Sequence, residues 1–424
     1  MIYSWISQQL PWLFSVSSGG KTVAILQDTV LEIRTQQDNY ATPIGKAFIN
    51  KDSNAQWRKL EWSPDGTLLA VAHSNGVVDV YDLLATHLFQ IPSTSQGAII
   101  ESSSPSANAI AGLVFVDTRT KNAHWSYELL CINFAGQLHA YFVSPTQGFE
   151  PSHSFSFDAH LPYGVTSVCA DYARHLIVIA SPIASVVEPM ESKSNTDLVT
   201  SKYGLSCWRL LDDRPFYIQA PNQNDYVPKR WLQSFKRGSY GNTIVKLSPS
   251  KDGTSLAAIH YSGSVSIWSL SSLKCQNFWP LYRQPDFDEM NPALLKLPAQ
   301  RRIRSAAFQN PFKFHPVDIN WWSDDSIILA RCSGAVTVCK THRNLRNQLG
   351  SSAKFCEGSP RIFSAFDNTF LGLECKVKVQ RKRLQPTEDV TASPNYEAEE
   401  TPELSDEEEI SPLPNRITRS VLYW

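Results

Sequence analysis

The chain has little of the sequence chemistry that marks secreted or membrane proteins. Its eight cysteines include no C-x-x-C pair, its 424 residues contain no N-x-[ST] glycosylation site, and no apolar run approaches the roughly eighteen residues of a membrane span. The N-terminus has no basic region, and Gln8, Gln9 and Pro11 interrupt its apolar residues, so we expect no signal peptide. These absences predict a cytoplasmic protein whose cysteines serve as small apolar residues.

Motifs for catalysis or cofactor binding are also missing from the sequence. It contains no G-x-S-x-G, no H-E-x-x-H and no phosphate-binding loop. His73 and His260 lie at equivalent places before a hairpin glycine, which favours a structural role over catalysis or metal binding. We therefore predict a protein that is not an enzyme and that uses no cofactor and no metal.

What the sequence does contain is a repeated unit of three short strands. Residues 57–82, WRKLEWSPDGTLLAVAHSNGVVDVYD, read as an alternating strand, a tight turn, a buried strand, an Asn-Gly hairpin and a second alternating strand. A lone meander of this kind cannot bury both of its faces. The residues that define the unit are Trp62, Asp65, Gly66, Gly76, Tyr81 and Asp82.

The same unit recurs along the chain. Residues 244–270 repeat it, with Gly253 in the first turn, Gly263 in the second and Trp268 at the aromatic position. Residues 318–340 carry Gly334 in the hairpin, and residues 112–142 form a copy with a stretched first turn. Units repeated at this period are typical of a β-propeller, in which each meander is one blade.

We therefore predict an all-β fold, a seven-bladed WD-type β-propeller over residues 1–383 with a disordered acidic C-terminal tail over 384–424. Residues 386–414 hold ten acidic residues and no Lys or Arg, a composition typical of disorder. The last blade shows only three strands, and we expect Met1–Ser7 to add its outer strand and close the ring. The blades are predicted near 12–51, 57–92, 110–145, 165–218, 244–279, 317–345 and 359–383.

Three features are candidate contacts for partners. Tryptophans on strand patterns favour core packing, but the adjacent Trp321 and Trp322 must face opposite ways, and the outward one is the best candidate contact. A basic cluster within residues 376–383 is either a solvated strand edge or one of three functional features, namely a nuclear import signal, an RNA contact or a membrane-surface patch. Ser405, in SDEEE, fits an acidophilic kinase site or simply a solvated acidic segment. The basic cluster is Lys376, Lys378, Arg381, Lys382 and Arg383.

The amino-acid sequences of the repeats also resemble those of a known family. QWRKLEWSPDGTLLAVAHSNGVVDVYDL, AAIHYSGSVSIWSLSSLK, VDINWWSDDSIILARCSGAVTV and FLGLECKVKV are similar, in collinear order, to the N-terminal region of the neuroblastoma-amplified sequence family. The resemblance runs from about Trp12 to Arg383. Family members continue into a long α-solenoid that the end of this chain does not resemble, which implies a fragment, a short isoform or a misjoined gene model.

The resemblance implies a non-enzymatic scaffold in Golgi-to-ER retrograde vesicle tethering. Its expected partners are tethering-complex subunits and ER SNAREs, with no small-molecule substrate. Its expected location is cytoplasmic and peripheral at the endoplasmic reticulum, with membrane association through partners. An alternative is an mRNA-decay factor, active in nonsense-mediated decay or otherwise RNA-associated, that uses the propeller as a docking platform. The sequence favours protein partners over nucleic acid.

Overall fold

The computed structural model is built from antiparallel β-sheets joined by turns and short 3-10 helices. No helix in the part of the chain described below is long and apolar enough to cross a membrane. The structure describes residues 12–52, 54–93, 108–118, 124–157, 161, 164–172, 175–182, 204–220, 243–284, 315–332, 335–341, 345–347, 354–355, 361–364, 370–378 and 416–423.

The first three sheets each have four strands that pair in chain order. The first contains β1 (Trp12–Val16), β2 (Thr22–Gln27), β3 (Val30–Thr35) and β4 (Pro43–Phe48). The second contains β5 (Lys59–Trp62), β6 (Leu69–Ala72), β7 (Val78–Tyr81) and β8 (His87–Ile91). The third contains β9 (Ile110–Asp117), β10 (Tyr127–Asn133), β11 (Gln137–Ser144) and β12 (Gly148–Ser156).

The next three sheets follow the same plan. The fourth contains β13 (Ser167–Asp171), β14 (Leu176–Ala180), β15 (Leu205–Leu210) and β16 (Tyr217–Gln219). The fifth contains β17 (Ile244–Pro249), β18 (Ser255–His260), β19 (Val265–Ser269) and β20 (Cys275–Trp279). The sixth contains β21 (Pro316–Ser323), β22 (Ser326–Arg331) and β23 (Ala335–Lys340), with two short strands, β24 (Arg346–Asn347) and β25 (Lys354–Phe355), both paired to β23.

The first strands of these sheets lie side by side. β1 contacts β5, β5 contacts β9, β9 contacts β13, and the series continues through β17 to β21. Each sheet therefore extends outward from a shared centre, which is the arrangement of blades in a propeller. The predictions of an all-β fold and of a propeller are confirmed.

The predicted number of blades is wrong, because the described residues form six blades of four or more strands rather than seven. A last sheet has only three strands, β26 (Arg361–Ser364), β27 (Phe370–Lys378) and β28 (Arg416–Tyr423), in that order. The predicted seventh blade at 359–383 supplies two of them, and the end of the chain supplies the third. The proposed closing segment, Met1–Ser7, lies outside the described residues.

Strand β28 falls within the segment that the sequence assigns to a disordered tail. It pairs with β27 from Lys378 opposite Arg416 to Leu371 opposite Tyr423, so the expectation of disorder fails for these eight residues. The sequence RITRSVLY is basic and rich in β-branched residues, unlike the acidic stretch before it, and these properties favour a strand. Residues 379–415 lie outside the described part of the chain.

The hydrophobic core is a series of layers between neighbouring blades. Leu26 and Ile33 of the first blade pack with Trp62 and Tyr81 of the second in one cluster of buried residues. Similar clusters join the second blade to the third, the third to the fourth, the fourth to the fifth and the fifth to the sixth. Six described cysteines carry free thiols, four of them fully buried. The alternating apolar strands thus bury both faces of each sheet.

The first turn of the repeat is held by the same polar contacts in two blades. The Ser63 hydroxyl donates to Asp65 Oδ1 at 2.6 Å, and the Thr67 backbone N–H donates to the same oxygen at 3.0 Å. Ser250 and Asp252 repeat the first contact in the fifth blade at 2.5 Å. These hydrogen bonds explain why the turns keep Ser and Asp at fixed spacing.

Glycines in both kinds of turn touch the neighbouring structure closely. Gly76 has φ +87°, and a Cβ there would lie 2.5 Å from the carbonyl oxygen of Asn108. Gly253 has φ +67°, and a Cβ there would lie 2.6 Å from Oδ2 of Asp171, which belongs to the preceding blade. Only glycine fits these positions without displacing a neighbour. The equivalent Gly334 lies outside the described residues.

Candidate protein-interaction site

The two adjacent tryptophans face opposite ways, as the strand pattern predicts. Trp321 is buried, and its Nε1–H donates to the backbone oxygen of Ser248 at 2.9 Å. Trp322 is partly buried and packs against an apolar cluster that includes Val317 and Ile328. Trp322 is therefore the more exposed of the pair and stays the predicted contact, although much of its ring is covered by its own blade.

The other predicted contacts lie mostly outside the described residues. Lys376 and Lys378 are on β27, in register with Thr418 and Arg416 of β28, and their side chains are not described. The backbone of β27 there pairs with β28, so neither lysine sits on a free strand edge of β27 on that side. Arg381, Lys382, Arg383 and Ser405 fall outside the described residues, and their proposed roles stay predictions.

A polar cavity that the sequence did not predict lies where the first blade leads into the second. Its volume is about 310 Å³. The connection from β4 to β5 supplies one wall, and the turn from β6 to β7 supplies another. We call it the polar cavity, and the polar side chains that line it include Lys51, Asp52, His73, Ser74, Asp79 and Gln90.

Asp79 is the centre of hydrogen bonding in the polar cavity. One carboxylate oxygen lies 2.8 Å from His73 Nε2, and the other lies 3.1 Å from His87 Nε2. The Gln90 amide donates to that second oxygen at 2.8 Å. Burial alone would raise the pKa of Asp79, but these three hydrogen bonds outweigh it and hold the pKa below the ordinary value for Asp. The carboxylate is therefore charged at neutral pH.

Asp52 lies on the other side of His73. Its carboxylate accepts from the Ser74 backbone N–H at 2.8 Å and from the Ser74 hydroxyl, and one oxygen lies 3.8 Å from His73 Nδ1. Burial would raise the pKa of Asp52, yet the hydrogen bonds from Ser74 and Asn54 lower it overall. His73 thus stands between two ionised carboxylates, which fix the orientation of its ring.

The histidine at the equivalent place in the fifth blade makes a related contact. His260 Nε2 lies 2.7 Å from the Ser266 hydroxyl, which also accepts from Nε1–H of Trp268 at 2.7 Å. Both histidines therefore bond to the residue six positions later in the next strand, which agrees with the structural interpretation. Asp79 could have been found from this spacing, since it is a charged residue within the apolar strand VVDVYD.

The polar cavity does not place a serine hydroxyl beside a histidine base among its described residues. Ser, His and Asp occur together, but the Ser74 hydroxyl donates to Asp52 instead of lying against a histidine that could take its proton. Within the described ranges, no group of three or more His, Cys, Asp or Glu side chains is placed to hold a metal ion. The cavity can offer hydrogen bonds and charge to a partner that docks on this end of the propeller.

Comparison with known proteins identifies a family. Residues 12–294 match the family profile described as "Neuroblastoma-amplified sequence, N terminal". The human protein described as "NBAS subunit of NRZ tethering complex" is 38% identical over 394 residues, which cover 89% of this chain and 16% of the relative. The chain thus spans 16% of the length of that relative.

Two solved structures resemble the chain in fold alone. "Structure of U3-55K" has a TM-score of 0.52 and 11% identity, and the match covers 85% of this chain and 86% of the other. "Crystal structure of RRP9 WD40 repeats" has the same TM-score and identity, with 85% of each chain covered. These values support the propeller architecture and carry no information about function.

Proposed function

Because this chain belongs to the neuroblastoma-amplified sequence family, we propose that it is a non-enzymatic scaffold that binds other proteins of a vesicle-tethering complex. The observation that carries the proposal is the family match over residues 12–294, together with a 38% identical relative described as a tethering-complex subunit. A propeller suits this role, since its blades form a rigid body that presents loops and outer strands to partners.

In this proposal the chain acts in Golgi-to-ER retrograde transport. It works in the cytoplasm at the surface of the endoplasmic reticulum, where it contacts tethering-complex subunits and ER SNAREs and reaches the membrane through them. The support for these details is the resemblance of the repeats to the family from about Trp12 to Arg383. The contacts proposed here are those of the propeller, and the chain spans 16% of the length of its relative.

The polar cavity also favours a scaffold over an enzyme. His73 is held between Asp52 and Asp79 in a fixed orientation, and the hydroxyl of Ser74 already donates to Asp52. A nucleophile needs a base that can accept its proton, and this arrangement does not place one beside Ser74. The cavity contributes to the stability of the blade and to the surface that a partner meets.

Affinity purification of the full chain, with nuclease treatment before elution and mass spectrometry of the eluate, tests the proposal. We expect tethering-complex subunits and ER SNAREs to be enriched over a control bait, a propeller of another family. If the chain were instead an RNA-associated factor, its partners would be lost on nuclease treatment and its binding would fall steeply with salt. That outcome, or an eluate no richer in these proteins than the control, would contradict the proposal.

A further inference from the structure

The outer strand of the first blade exposes unusual residues for its position. Ile44 is 42% exposed and Phe48 is 77% exposed, with the exposed Lys46 between them. In the second blade the exposed positions of the outer strand β8 are the polar residues His87 and Gln90. Exposed apolar side chains that cluster on one element mark contact surfaces more often than those that lie singly.

Two of the exposed side chains of β4, Lys46 and Phe48, share one face of the strand, whereas Gly45 and Ala47 point to the other face. The exposed Ile44 lies at a register shift between β4 and β3, where Gly45 pairs with Ile33 and Pro43 pairs with Arg34. That other face is covered by the second blade, because a Cβ on Gly45 would lie 2.3 Å from the carbonyl carbon of Leu84. Leu84 itself is 63% exposed. We call Ile44, Lys46 and Phe48 the β4 surface.

Strand β4 is also the edge of its sheet. The strand order β1-β2-β3-β4 ends there, so β4 pairs with β3 on one side only. Pro43 at its start has no N–H, which confines any further backbone pairing to the residues that follow. Natural edge strands are usually protected by charges, prolines or bulges, and β4 carries Pro43 and the register shift at Ile44 at its start. The part of its edge that can accept an added strand is therefore residues 45–48, which end on the exposed Phe48.

The charge at the centre of the β4 surface indicates what the added strand would carry. Lys46 Nζ lies 5.7 Å from the centre of the Phe48 ring, a contact that attracts the cation without neutralising it. The residue opposite Lys46 on β3 is Glu32, but its carboxylate is engaged by Arg34 at 3.0 Å. Among the described residues, no carboxylate forms an ion pair with Lys46.

We propose that the β4 surface docks an extended segment of a partner protein, which adds to β4 as a fifth strand. The segment carries an acidic residue opposite Lys46 and an apolar residue two positions away, opposite Phe48. The proposal names a partner class for the scaffold described above and rests on that function. A second copy of this chain fits poorly, because antiparallel pairing about the strand centre would set two Lys46 side chains against each other.

Fluorescence anisotropy with two labelled synthetic peptides, SVTETVS and SVTKTVS, tests the proposal on the full chain. We expect the Glu peptide to bind about tenfold or more tightly than the Lys peptide, a difference within the range of complementary charge pairs. Lys46→Glu reverses that preference, and Phe48→Ser weakens binding of the Glu peptide by about tenfold or more. Ile218→Ser is the matched control, since Ile218 is 49% exposed on β16, the outer strand of another blade, and its replacement leaves binding unchanged.

Several results would overturn the proposal. They are failure of the wild-type chain to bind the Glu peptide, equal binding of both peptides, and binding that Lys46→Glu and Phe48→Ser leave unaltered. Concentration-dependent dimerisation in sedimentation that Phe48→Ser abolishes would assign the surface to a second copy. Binding to phosphatidylcholine vesicles that Phe48→Ser abolishes, with no peptide binding, would assign it to lipid.

The same variants separate this inference from the scaffold function. If Phe48→Ser still purifies with every tethering-complex subunit that the wild type does, and the peptides do not bind, the surface assignment fails and the scaffold stands. If the wild type brings down none of those subunits, the scaffold proposal fails. The peptide titration then still decides whether β4 accepts a strand.

Discussion

At the scale of single residues, the buried carboxylate of Asp79 is surrounded by hydrogen bonds. Asp79 accepts from His73, His87 and Gln90 within one layer of the second blade. Removing a partner from such a group leaves a buried donor or acceptor unsatisfied, which costs more than the bond itself contributes. The polar cavity should therefore be sensitive to changes that preserve shape but alter charge.

Replacing the central carboxylate by an amide should destabilise the fold. In Asp79→Asn the new NH2 group would face His73 or Gln90, which are donors, so we expect a loss of about 2–3 kcal/mol in the free energy of unfolding at pH 7. Chemical denaturation of the variant and the wild type measures this loss of stability. Because the folded-state pKa of Asp79 is lowered, its contribution is present above the unfolded pKa of about 4 and is lost as the pH falls below that value.

The control for that variant is Asp324→Asn, an exposed carboxylate in the turn between β21 and β22. Its free energy of unfolding should stay within about 0.5 kcal/mol of the wild type. Equal stability of Asp79→Asn and the wild type at pH 7 would show that the contacts of Asp79 contribute nothing to stability.

Glu61 on β5 should show the opposite dependence on pH. Burial raises its pKa to about 8, with a smaller opposing effect from a hydrogen bond with Tyr172. The unfolded chain then loses its proton first, so wild-type stability falls as the pH rises from about 4.5 to about 8. Relative to wild type, Glu61→Gln should gain of order 2 kcal/mol over that interval, less than the full shift implies, because Glu61 is only half-buried.

Unfolding curves at pH 5 and pH 8 measure this difference. Glu150→Gln provides the control, since Glu150 is exposed on β12 and should show no change between the two pH values. A Glu61→Gln variant whose stability tracks the wild type at both pH values would contradict the assignment of a raised pKa.

At the scale of elements, the turns set the distance between blades. Gly76 and Gly148 both have φ between +80° and +90°, but a Cβ on Gly76 would meet Asn108 whereas one on Gly148 would meet nothing within 4 Å. Gly148→Ala should cost about 1 kcal/mol for the backbone conformation alone. Gly76→Ala should cost about 3 kcal/mol, because the clash with the next connection is added.

Thermal or denaturant unfolding of the two glycine variants isolates the contact between blades. Both glycines have the same backbone conformation, so the difference between the two losses of stability measures the cost of the clash with Asn108 at Gly76. Equal destabilisation would mean that the connection moves aside at little cost and does not fix the blade spacing.

The inner strands and their turns could be predicted from the sequence, and the predicted ranges 12–51, 57–92 and 244–279 also contain the outer strands β4, β8 and β20, but the outer strand β12 was missed. Asp-Gly and Asn-Gly turns with buried runs between them locate β5 to β7 and β17 to β19, because those patterns have few other solutions. Strand β12 lies beyond the predicted range 110–145, since GFEPSHSFS is half exposed, contains Pro151 and pairs across a bulge. An edge strand in contact with water has no alternation to recognise.

At the scale of the whole molecule, the number of blades depends on contacts between distant segments. The sequence after residue 359 contains apolar runs that fit a blade, yet they supply two strands, and the third comes from Arg416–Tyr423. The amino-acid composition of the last forty positions did not indicate strand β28, because the acidic residues before the strand dominate that composition. The polar cavity was not predicted for a similar reason, since Asp52 reaches His73 and Ser74 only once the connection from β4 to β5 has folded against the second blade.

The proposed scaffold function depends on surfaces that meet partners rather than on any single side chain. The described surface supplies the polar cavity at one end and the β4 surface at the rim, and the sequence had singled out neither. The partly buried Trp322, the predicted contact, presents less surface than Phe48. Contacts with partners should accordingly map to the first two blades more than to the sixth.

The most direct test of the scaffold is reconstitution with purified proteins. The full chain is mixed with the remaining subunits of the human relative's tethering complex and followed by size-exclusion chromatography with light scattering. The proposal predicts a nuclease-resistant complex whose mass is the sum of its components and that persists at physiological salt. If the chain elutes alone at every concentration, or joins the others only when RNA is added, it is not a tethering scaffold.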